Sequence, residues 1–220
     1  TLTSMGSVNV AAGCKKGGEY GMSFSGGVLN YGQPSALNFD NKQEITVMMW
    51  VKGIGQSQKT TYWDPISWHH SGTRGIVWQA YGTGDLGIGS TGFGTSFAGT
   101  KAGGKYNVAT GSDWVHLAFT RTETKLVAYA NGEVVGSPTR TSGGPIEMCG
   151  LPTACPNVEG GANWRFWLGG DPHSRRFHGC MDEVKIFDTA LSAGEVAKFG
   201  MNSGAPIVSG QEVIGWTDVA

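Results

Sequence analysis

Two adjacent carboxylates, Asp182 and Glu183, lie within FHGCMDEVKIF, a stretch whose second half alternates apolar residues. Paired carboxylates can run acid–base chemistry, bind a metal ion or hold a strand end through hydrogen bonds. Successive residues of a strand point to opposite faces of a sheet, so these two cannot flank one substrate bond. The spacing therefore argues against a catalytic pair and favours a structural role.

Two segments, 60–75 and 169–179, carry more aromatic and charged residues than loops usually do: TTYWDPISWHHSGTRG and GGDPHSRRFHG. Aromatic rings stack on the apolar faces of sugars, and carboxylates and guanidinium groups bond hydroxyls or acidic substituents. We predict a ligand site from these segments. Its candidate residues are Tyr62, Trp63, Asp64, Trp68, His69, His70, Arg74, Asp171, His173 and Arg175.

A structural role stays open for several of these residues. Trp68, like Trp78, is also the kind of side chain that fills the core of a sandwich. His69 and His70 are adjacent and would point apart in a strand, which disfavours a shared metal ion.

Alternating apolar residues predict strands along most of the chain. The segment 45–53, ITVMMWVKG, is apolar almost throughout, as in a strand covered on both faces. Asn131 and Gly132 separate two strand-like runs and predict a tight hairpin. The predicted strand segments are 19–27, 45–53, 76–82, 113–122, 125–137, 164–170 and 181–187.

One segment, LSAGEVAKFG, predicts a helix. Ser192 is placed as the N-cap with Glu195 three residues on, which is a capping box, and Leu191 and Val196 are spaced as a hydrophobic staple. Gly200 predicts its end. One short C-terminal helix after many strands indicates an all-β sandwich.

Composition supports one β domain. The 220 residues include 37 glycines and 39% hydrophobic residues, which supplies many turns and an ample core. A net charge of −1 argues against nucleic acid or an anionic membrane as the main partner. No apolar window approaches the length of a membrane span, so none is expected.

Four cysteines, an even number, lack the C-x-x-C spacing of zinc or redox sites. Cys149 and Cys155 bracket a short proline-containing loop that a local disulfide would close, and Cys14 and Cys180 would then join the two ends of the domain. The alternative is reduced, buried thiols. Two bridges would indicate an oxidising compartment and therefore a secreted protein.

The order of the motifs resembles a known family. TVMMWVK is followed by WVHLAFT, then by LVAYANGEVV, and finally by LGG and FHGCMDEVKIFDTALS. This series is similar to the laminin-G-like and pentraxin-like domains of the concanavalin A-like lectin/glucanase superfamily. The resemblance implies a two-sheet antiparallel jelly roll over residues 1–200, with 201–220 as an edge strand or docking tail. First and last strands lie side by side in such domains, as a Cys14–Cys180 bridge would require.

The resemblance also implies roles for two aspartates. Asp182 matches a position that caps backbone amides or helps to bind a structural calcium ion. Asp171 matches one member of an acidic cluster that supplies calcium ligands in pentraxin-like relatives. The Asp-Asn pair of the earlier loop is absent, since 70–75 reads HSGTRG, which argues against calcium-bridged recognition. Asp182 and Asp171 are the candidate metal ligands, for calcium.

Enzymes of this architecture carry motifs that this sequence lacks. The glycosidase run E-x-D-x-x-E is absent, as is the lyase run R-x-E-x-R; Gln79 and Tyr81, which share a strand face, are the nearest local match to a lyase site. The leading interpretation is a secreted, non-catalytic recognition domain that binds a glycan or glycoprotein. The alternatives are a structural or adhesion subunit that binds protein partners and, third, a lyase or hydrolase with an unusual site.

Overall fold

The computed structural model describes residues 3–5, 8–11, 14, 16, 21–32, 34–39, 42–53, 62–70, 74–81, 85–90, 93–101, 103–108, 111–137, 144–146, 165–171, 175–201 and 212–216. These residues form strands, one α-helix and a 3₁₀ turn at Ser35–Leu37. The strands and the helix are β1 (Thr3–Met5), β2 (Val8–Ala11), β3 (Gly21–Ser25), β4 (Val28–Asn30), β5 (Ile45–Gly53), β6 (Tyr62–Trp63), β7 (Ile66–His70), β8 (Arg74–Tyr81), β9 (Leu86–Ser90), β10 (Phe93–Ser96), β11 (Val115–Arg121), β12 (Leu126–Ala130), β13 (Glu133–Gly136), β14 (Arg165–Leu168), β15 (His178–Phe187), α1 (Ala193–Gly200) and β16 (Glu212–Trp216).

The strands assemble into two antiparallel sheets. The front sheet has the order β1-β4-β14-β7-β8-β9-β10, with β6 paired to β8. The back sheet has the order β13-β12-β11-β5-β15-β3-β2, with β16 paired to β15. Many neighbours in the sheets are distant in sequence, as in a jelly roll. The predicted two-sheet sandwich is confirmed.

The core lies between the sheets and is rich in aromatic residues. On β8 of the front sheet, Ile76 and Trp78 are completely buried. The Trp78 ring lies 5.1 Å from Phe97 and 5.5 Å from Phe119, which belongs to the back sheet. Ile76 and Trp78 therefore face the core, and Val77 and Gln79 face outward.

Three local predictions are confirmed. The whole of β5 is buried except Lys52, as the apolar run predicted. Asn131 and Gly132 have φ values of 49° and 80°, as a type I′ hairpin turn requires. Helix α1 has Ser192 as N-cap and a complete capping box with Glu195.

The two ends of the described domain meet on the back sheet. Cys14 and Cys180 form a disulfide across 166 residues of sequence, which confirms that pairing. The other predicted bridge, Cys149–Cys155, lies outside the described residues. In the extension 201–220, β16 pairs antiparallel with β15. The division of the chain into 1–200 and 201–220 stays a prediction. Among the described helical residues no segment is long and apolar enough to cross a membrane.

Candidate functional site

The candidate site lies at one end of the front sheet, where loops from β6 and β14 meet. Asp64 follows β6 directly, and Asp171 follows β14 after two glycines. The amide of Gly169 donates a hydrogen bond of 2.9 Å to the carbonyl of Pro65, which fixes one loop against the other. Two acidic residues far apart in sequence are thus held at the same edge.

Glycine is required where the chain leaves β14. Gly169 has a φ of 79°, and a Cβ there would lie 2.1 Å from a ring carbon of Phe24. Such a contact is impossible without displacing the core ring, and L-residues rarely adopt this backbone conformation. Gly169 therefore lets the chain turn tightly over the core into the loop that carries Asp171.

The loop from Asp171 to Arg175 is closed by hydrogen bonds at both ends. The amide of Asp171 donates to the carbonyl of Arg175 at 3.1 Å. The amide of Arg175 donates to Asp171 Oδ1, also at 3.1 Å, and the guanidinium of Arg176 donates to the carbonyl of Asp171. This closure directs the Arg175 side chain back toward the sheet.

The Arg175 guanidinium joins three side chains from three segments. Its Nη1 lies 3.6 Å from Asp64 Oδ2, and its Nε lies 3.6 Å from Asp171 Oδ2. With the amide oxygen of Gln79 turned toward the guanidinium, that oxygen accepts from Nη1 at 2.7 Å and from Nε at 3.1 Å. We call Asp64, Gln79, Asp171 and Arg175 the arginine cluster.

Asp64 is the most deeply placed member of the arginine cluster. It is completely buried, and hydrogen bonding from Arg175 and Gln79 favours its charged form. Burial raises the pKa of Asp64 to about 8; the Arg175 charge opposes this rise, and the Asp171 charge adds to it. At neutral pH the group is therefore poised to hold a proton and to act as a donor.

The arginine cluster provides hydrogen bonding rather than a carboxylate pair of the glycosidase kind. The Arg175 guanidinium lies 3.6 Å from a carboxyl oxygen of each aspartate. The Arg175 side chain is 33% exposed, whereas Asp64 and Asp171 are buried. The cluster thus presents a fixed guanidinium and an amide at the surface, supported from beneath by carboxyl groups.

Of the predicted ligand residues, the structure brings together Asp64, Asp171 and Arg175. Two others, Trp63 and Trp68, lie in the core with 1% and 0% exposure. Trp68 packs on Phe166 at 4.7 Å between ring centroids. Neither tryptophan offers a ring face to a ligand. For Trp68 the burial supports the alternative of a core residue, which was left open. The prediction that Trp63 binds a ligand is wrong, because it too is a core residue.

The remaining predicted residues are described in part or not at all. Tyr62, His69, His70 and Arg74 lie on strands of the front sheet, where His70 pairs with Arg74. Their side chains lie outside what the structure describes, as does the whole of His173. Their roles in binding stay predictions.

Asp182 caps backbone amides, as the resemblance implied. Its Oδ2 accepts from the amide of Lys16 at 2.6 Å, and its Oδ1 accepts from the amide of Glu183 at 2.8 Å. The sequence argument treated Asp182 and Glu183 as neighbours in a regular strand. The strand is not regular there, because a bulge lies between Asp182 and Lys185 and Glu183 has a φ of 46°. A bulge inserts an extra residue and breaks the two-residue period that the sequence argument assumed.

Calcium does not fit these positions well. Both Asp182 oxygens accept backbone hydrogen bonds, and the Asp171 carboxylate accepts the Arg175 amide and faces its guanidinium. Among the described residues no three His, Cys, Asp or Glu side chains group closely enough to hold a metal ion. A calcium ion usually takes six to eight oxygen ligands, supplied by carboxylates, carbonyl groups and water. A calcium requirement therefore stays an untested prediction.

Gln79 was not among the predicted ligand residues. The signal was present, because the alternation of IVWQAY places Gln79 on the face opposite Trp78. What the sequence did not contain was the contact with Arg175, which comes from a loop almost a hundred residues later.

Two antiparallel sheets packed face to face, with a polar cluster at the loop end of one of them, define a jelly-roll β-sandwich. A family model described as the concanavalin A-like lectin/glucanases superfamily, of the laminin G type, matches residues 26–197. The chain belongs to this superfamily, as its motifs indicated. No curated protein sequence matches the chain.

Solved structures share the fold at low sequence identity. Domain 4 of AbnA, an extracellular arabinanase from Geobacillus stearothermophilus, in complex with arabinotriose, is 22% identical, with 91% of this chain and 87% of that chain covered and a TM-score of 0.55. The receptor binding domain of botulinum neurotoxin mosaic serotype C/D is 12% identical, with 92% and 46% covered and a TM-score of 0.64. The binding domain of botulinum neurotoxin DC in complex with SialylT is 10% identical, with 92% and 46% covered and a TM-score of 0.59. The chain spans less than half of each neurotoxin domain.

Proposed function

We propose that this chain is a secreted, non-catalytic carbohydrate-recognition domain that binds a glycan, free or on a glycoprotein, at the arginine cluster. One observation carries the proposal: Arg175 is fixed by Asp64, Asp171 and Gln79 while a third of its side chain stays exposed. A donor held rigidly by the protein loses little side-chain entropy when it bonds a sugar hydroxyl.

The structural neighbours support a glycan as the class of ligand. One was solved with arabinotriose and another with SialylT, and those ligands belong to those proteins. The Cys14–Cys180 disulfide supports secretion, since such bridges persist in oxidising compartments. Each site is expected to bind weakly, so that repetition or oligomerisation would raise the avidity.

The experiment is a glycan array probed with the wild-type chain and with Arg175→Ala. We expect binding to at least one glycan and its loss in the variant. Arg165→Ala is the matched control, because Arg165 is exposed on β14 of the same sheet and should bind like wild type. Binding that survives in Arg175→Ala would exclude the arginine cluster as the site.

A second arm of the array contains EDTA. Loss of binding in EDTA would establish a calcium requirement and redirect attention to Asp171. Retained binding would favour recognition through the guanidinium and amide alone.

The structural alternative is a domain that binds protein partners through the extension 201–220. Within this chain β16 already pairs with β15, and such pairing competes with donation of the strand to a partner. Deleting residues 202–220 separates the two functions, because lost assembly with intact glycan binding would favour the structural role. The lyase or hydrolase alternative is tested by incubation with polysaccharides, where new reducing ends or unsaturated products would support it.

A further inference from the structure

Two buried carboxyl groups share one guanidinium in the arginine cluster. Asp64 and Asp171 are completely buried, and the Arg175 guanidinium lies 3.6 Å from a carboxyl oxygen of each. One positive charge balances one buried carboxylate, whereas a second carboxylate beside it meets both a like charge and the cost of desolvation. The geometry therefore favours a state in which one of the two carboxyl groups keeps a proton.

Hydrogen bonding and burial indicate that Asp64 is the group that keeps the proton. Asp171 Oδ1 accepts the backbone amide of Arg175 at 3.1 Å, and a bond from a backbone amide favours the ionised form of a carboxyl group. Burial raises the pKa of Asp64 to about 8, and the charge of Asp171 adds to the rise. Asp64 is therefore neutral in most molecules at pH 7 and ionised in most molecules at pH 9.

The charged groups that act on Asp64 come from one loop in the described part of the chain. Arg175 and Asp171 both belong to the loop after β14. Gln79 on β8 is uncharged, as are both chain neighbours of Asp64. Arg176 belongs to the same loop, and its guanidinium donates to the backbone carbonyl of Asp171. While Asp64 is protonated, the two arginines exceed the single ionised aspartate, so the cluster together with Arg176 has an excess of positive charge.

The charge of Asp64 reaches the surface through Arg175. Gln79 links the two groups, because its amide oxygen accepts from Arg175 Nη1 at 2.7 Å and its side chain also forms a hydrogen bond with Asp64. Asp64 is closed off from solvent, whereas the Arg175 side chain is 33% exposed. A ligand therefore contacts the guanidinium, and the charge of Asp64 changes how strongly that guanidinium attracts it.

We propose that the arginine cluster binds an acidic sugar, one that carries a carboxylate, and that loss of the proton from Asp64 weakens this binding. While Asp64 is neutral, the Arg175 guanidinium bonds the carboxylate of the sugar with only Asp171 as a competing anion. Once Asp64 is ionised, two buried carboxylates oppose the approach of a third. Asp64 is thus a positioning residue that acts through Arg175. This inference rests on the proposed glycan-binding function and names the ligand class and the regulation of the same site.

The test is calorimetric titration from pH 7 to pH 9.5 with two pairs of probes, each an acidic sugar and a neutral counterpart: sialyllactose with lactose, and trigalacturonate with galactotriose. Over this range the probe carboxylates stay ionised and Arg175 stays protonated, while histidines ordinarily titrate below it. We expect the acidic probe of at least one pair to bind at least about fivefold more weakly at pH 9.5 than at pH 7. Its neutral counterpart should bind more weakly at pH 7 and change little with pH.

Asp64→Asn separates the proton from the rest of the arginine cluster. Asparagine has nearly the same shape and does not titrate, so the affinity of this variant for the acidic probe should be constant from pH 7 to pH 9.5. Asp113→Asn is the matched control, because it makes the same change at an exposed position before β11 in the back sheet. It should keep the fall in affinity of the wild-type chain. Circular dichroism at each pH verifies that all three proteins stay folded.

A second measurement needs only the wild-type chain. Coupling between two bound species is reciprocal, so a sugar that binds better when Asp64 is protonated must take up a fraction of a proton when it binds near pH 8. Titrations in two buffers of different ionisation enthalpy measure that fraction. Asp113→Asn should take up the same fraction as wild type, and Asp64→Asn should take up none.

The outcomes separate this inference from the function on which it rests. Acidic-probe binding that is constant with pH and takes up no proton, or that falls with pH equally in wild type and Asp64→Asn, would overturn the inference and leave the proposed function intact. Tighter binding of the neutral member of each pair, or glycan binding on the array with both acidic probes inactive, would overturn the acidic class. Absence of binding to all four probes and to the glycan array would overturn the proposed function and, with it, this inference.

Discussion

The guanidinium of Arg175 lies 3.6 Å from the carboxylate of Asp64, which is completely buried. Arg175 comes from the loop after β14, and Asp64 directly follows β6. This contact joins a buried carboxyl group to a partly exposed cation. We therefore expect protonation of Asp64 to raise the free energy of unfolding and removal of Arg175 to lower it.

The stability of the protein should depend on the protonation of Asp64. Burial raises the pKa of Asp64 from 3.8 to about 8, so the folded state binds this proton more tightly than the unfolded state does. The contribution of Asp64 to the free energy of unfolding is largest below about pH 4. It falls as pH rises toward 8, by on the order of 1.4 kcal/mol per pH unit. Urea unfolding from pH 4 to 9 measures it.

Asp64→Asn provides the comparison, because asparagine resembles a protonated aspartate and does not titrate. We expect the variant to match wild type near pH 5 and to exceed it above pH 8. Parallel curves for the two proteins would show that Asp64 is ionised across the range.

Arg175→Ala should destabilise the protein in a pH-dependent way. Removal of the cation leaves Asp64 and Asp171 facing each other in a buried place, which costs about 2 kcal/mol or more once both are ionised. We expect a larger loss at pH 9 than at pH 6. Adding Asp64→Asn to the variant should recover part of the loss, and a double-mutant cycle measures the recovery. Additive effects of the two substitutions would contradict a direct interaction.

The Cys14–Cys180 disulfide should be the strongest single covalent constraint among the described residues. It spans 166 residues of sequence, and in the chain-entropy model a loop of that size contributes about 4–5 kcal/mol to the free energy of unfolding. We expect Cys14→Ser/Cys180→Ser to lower the denaturant midpoint accordingly. An unchanged midpoint would mean that the unfolded chain is already constrained by other contacts.

Two glycine substitutions should change stability in opposite directions. Gly132 has a φ of 80°, and a Cβ there would lie 3.0 Å from Ala197 Cα on α1, so Gly132→Ala should cost about 1–2 kcal/mol. Gly194 lies inside α1, with open space where its Cβ would be, so Gly194→Ala should stabilise by about 0.5–1 kcal/mol. Thermal unfolding of both variants tests the hairpin and helix geometry together.

The elements were predicted from the sequence because their signals are local. The Asn131-Gly132 pair determines its own turn, and Ser192 with Glu195 determines the first turn of α1. Alternation within β8 places Trp78 on one face and Gln79 on the other without reference to any other segment. The bulge at Glu183 was not predicted, because an argument from the two-residue period assumes an uninterrupted strand.

The site was predicted only in part. Asp64, Asp171 and Arg175 stood out by residue type, and the fold brings them together. Trp63 and Trp68 stood out by the same criterion but are core residues. Their burial was not predicted, because sequence alone does not say which face of a short strand is covered.

The sequence by itself determined β3, β5, β8, β11 to β15, the hairpin, the helix and, through its order of motifs, the superfamily. It did not determine β6 and β7, which lie in the segment 60–75 that was interpreted as a loop. Tertiary structure alone decided that Arg175 would take its place between Asp64, Asp171 and Gln79, and that Gly87 would lie opposite Gln79. The physical reason is separation along the chain. Turns and caps form between neighbours a few residues apart, whereas the arginine cluster exists only once the sheet has aligned strands and loops from distant parts of the sequence.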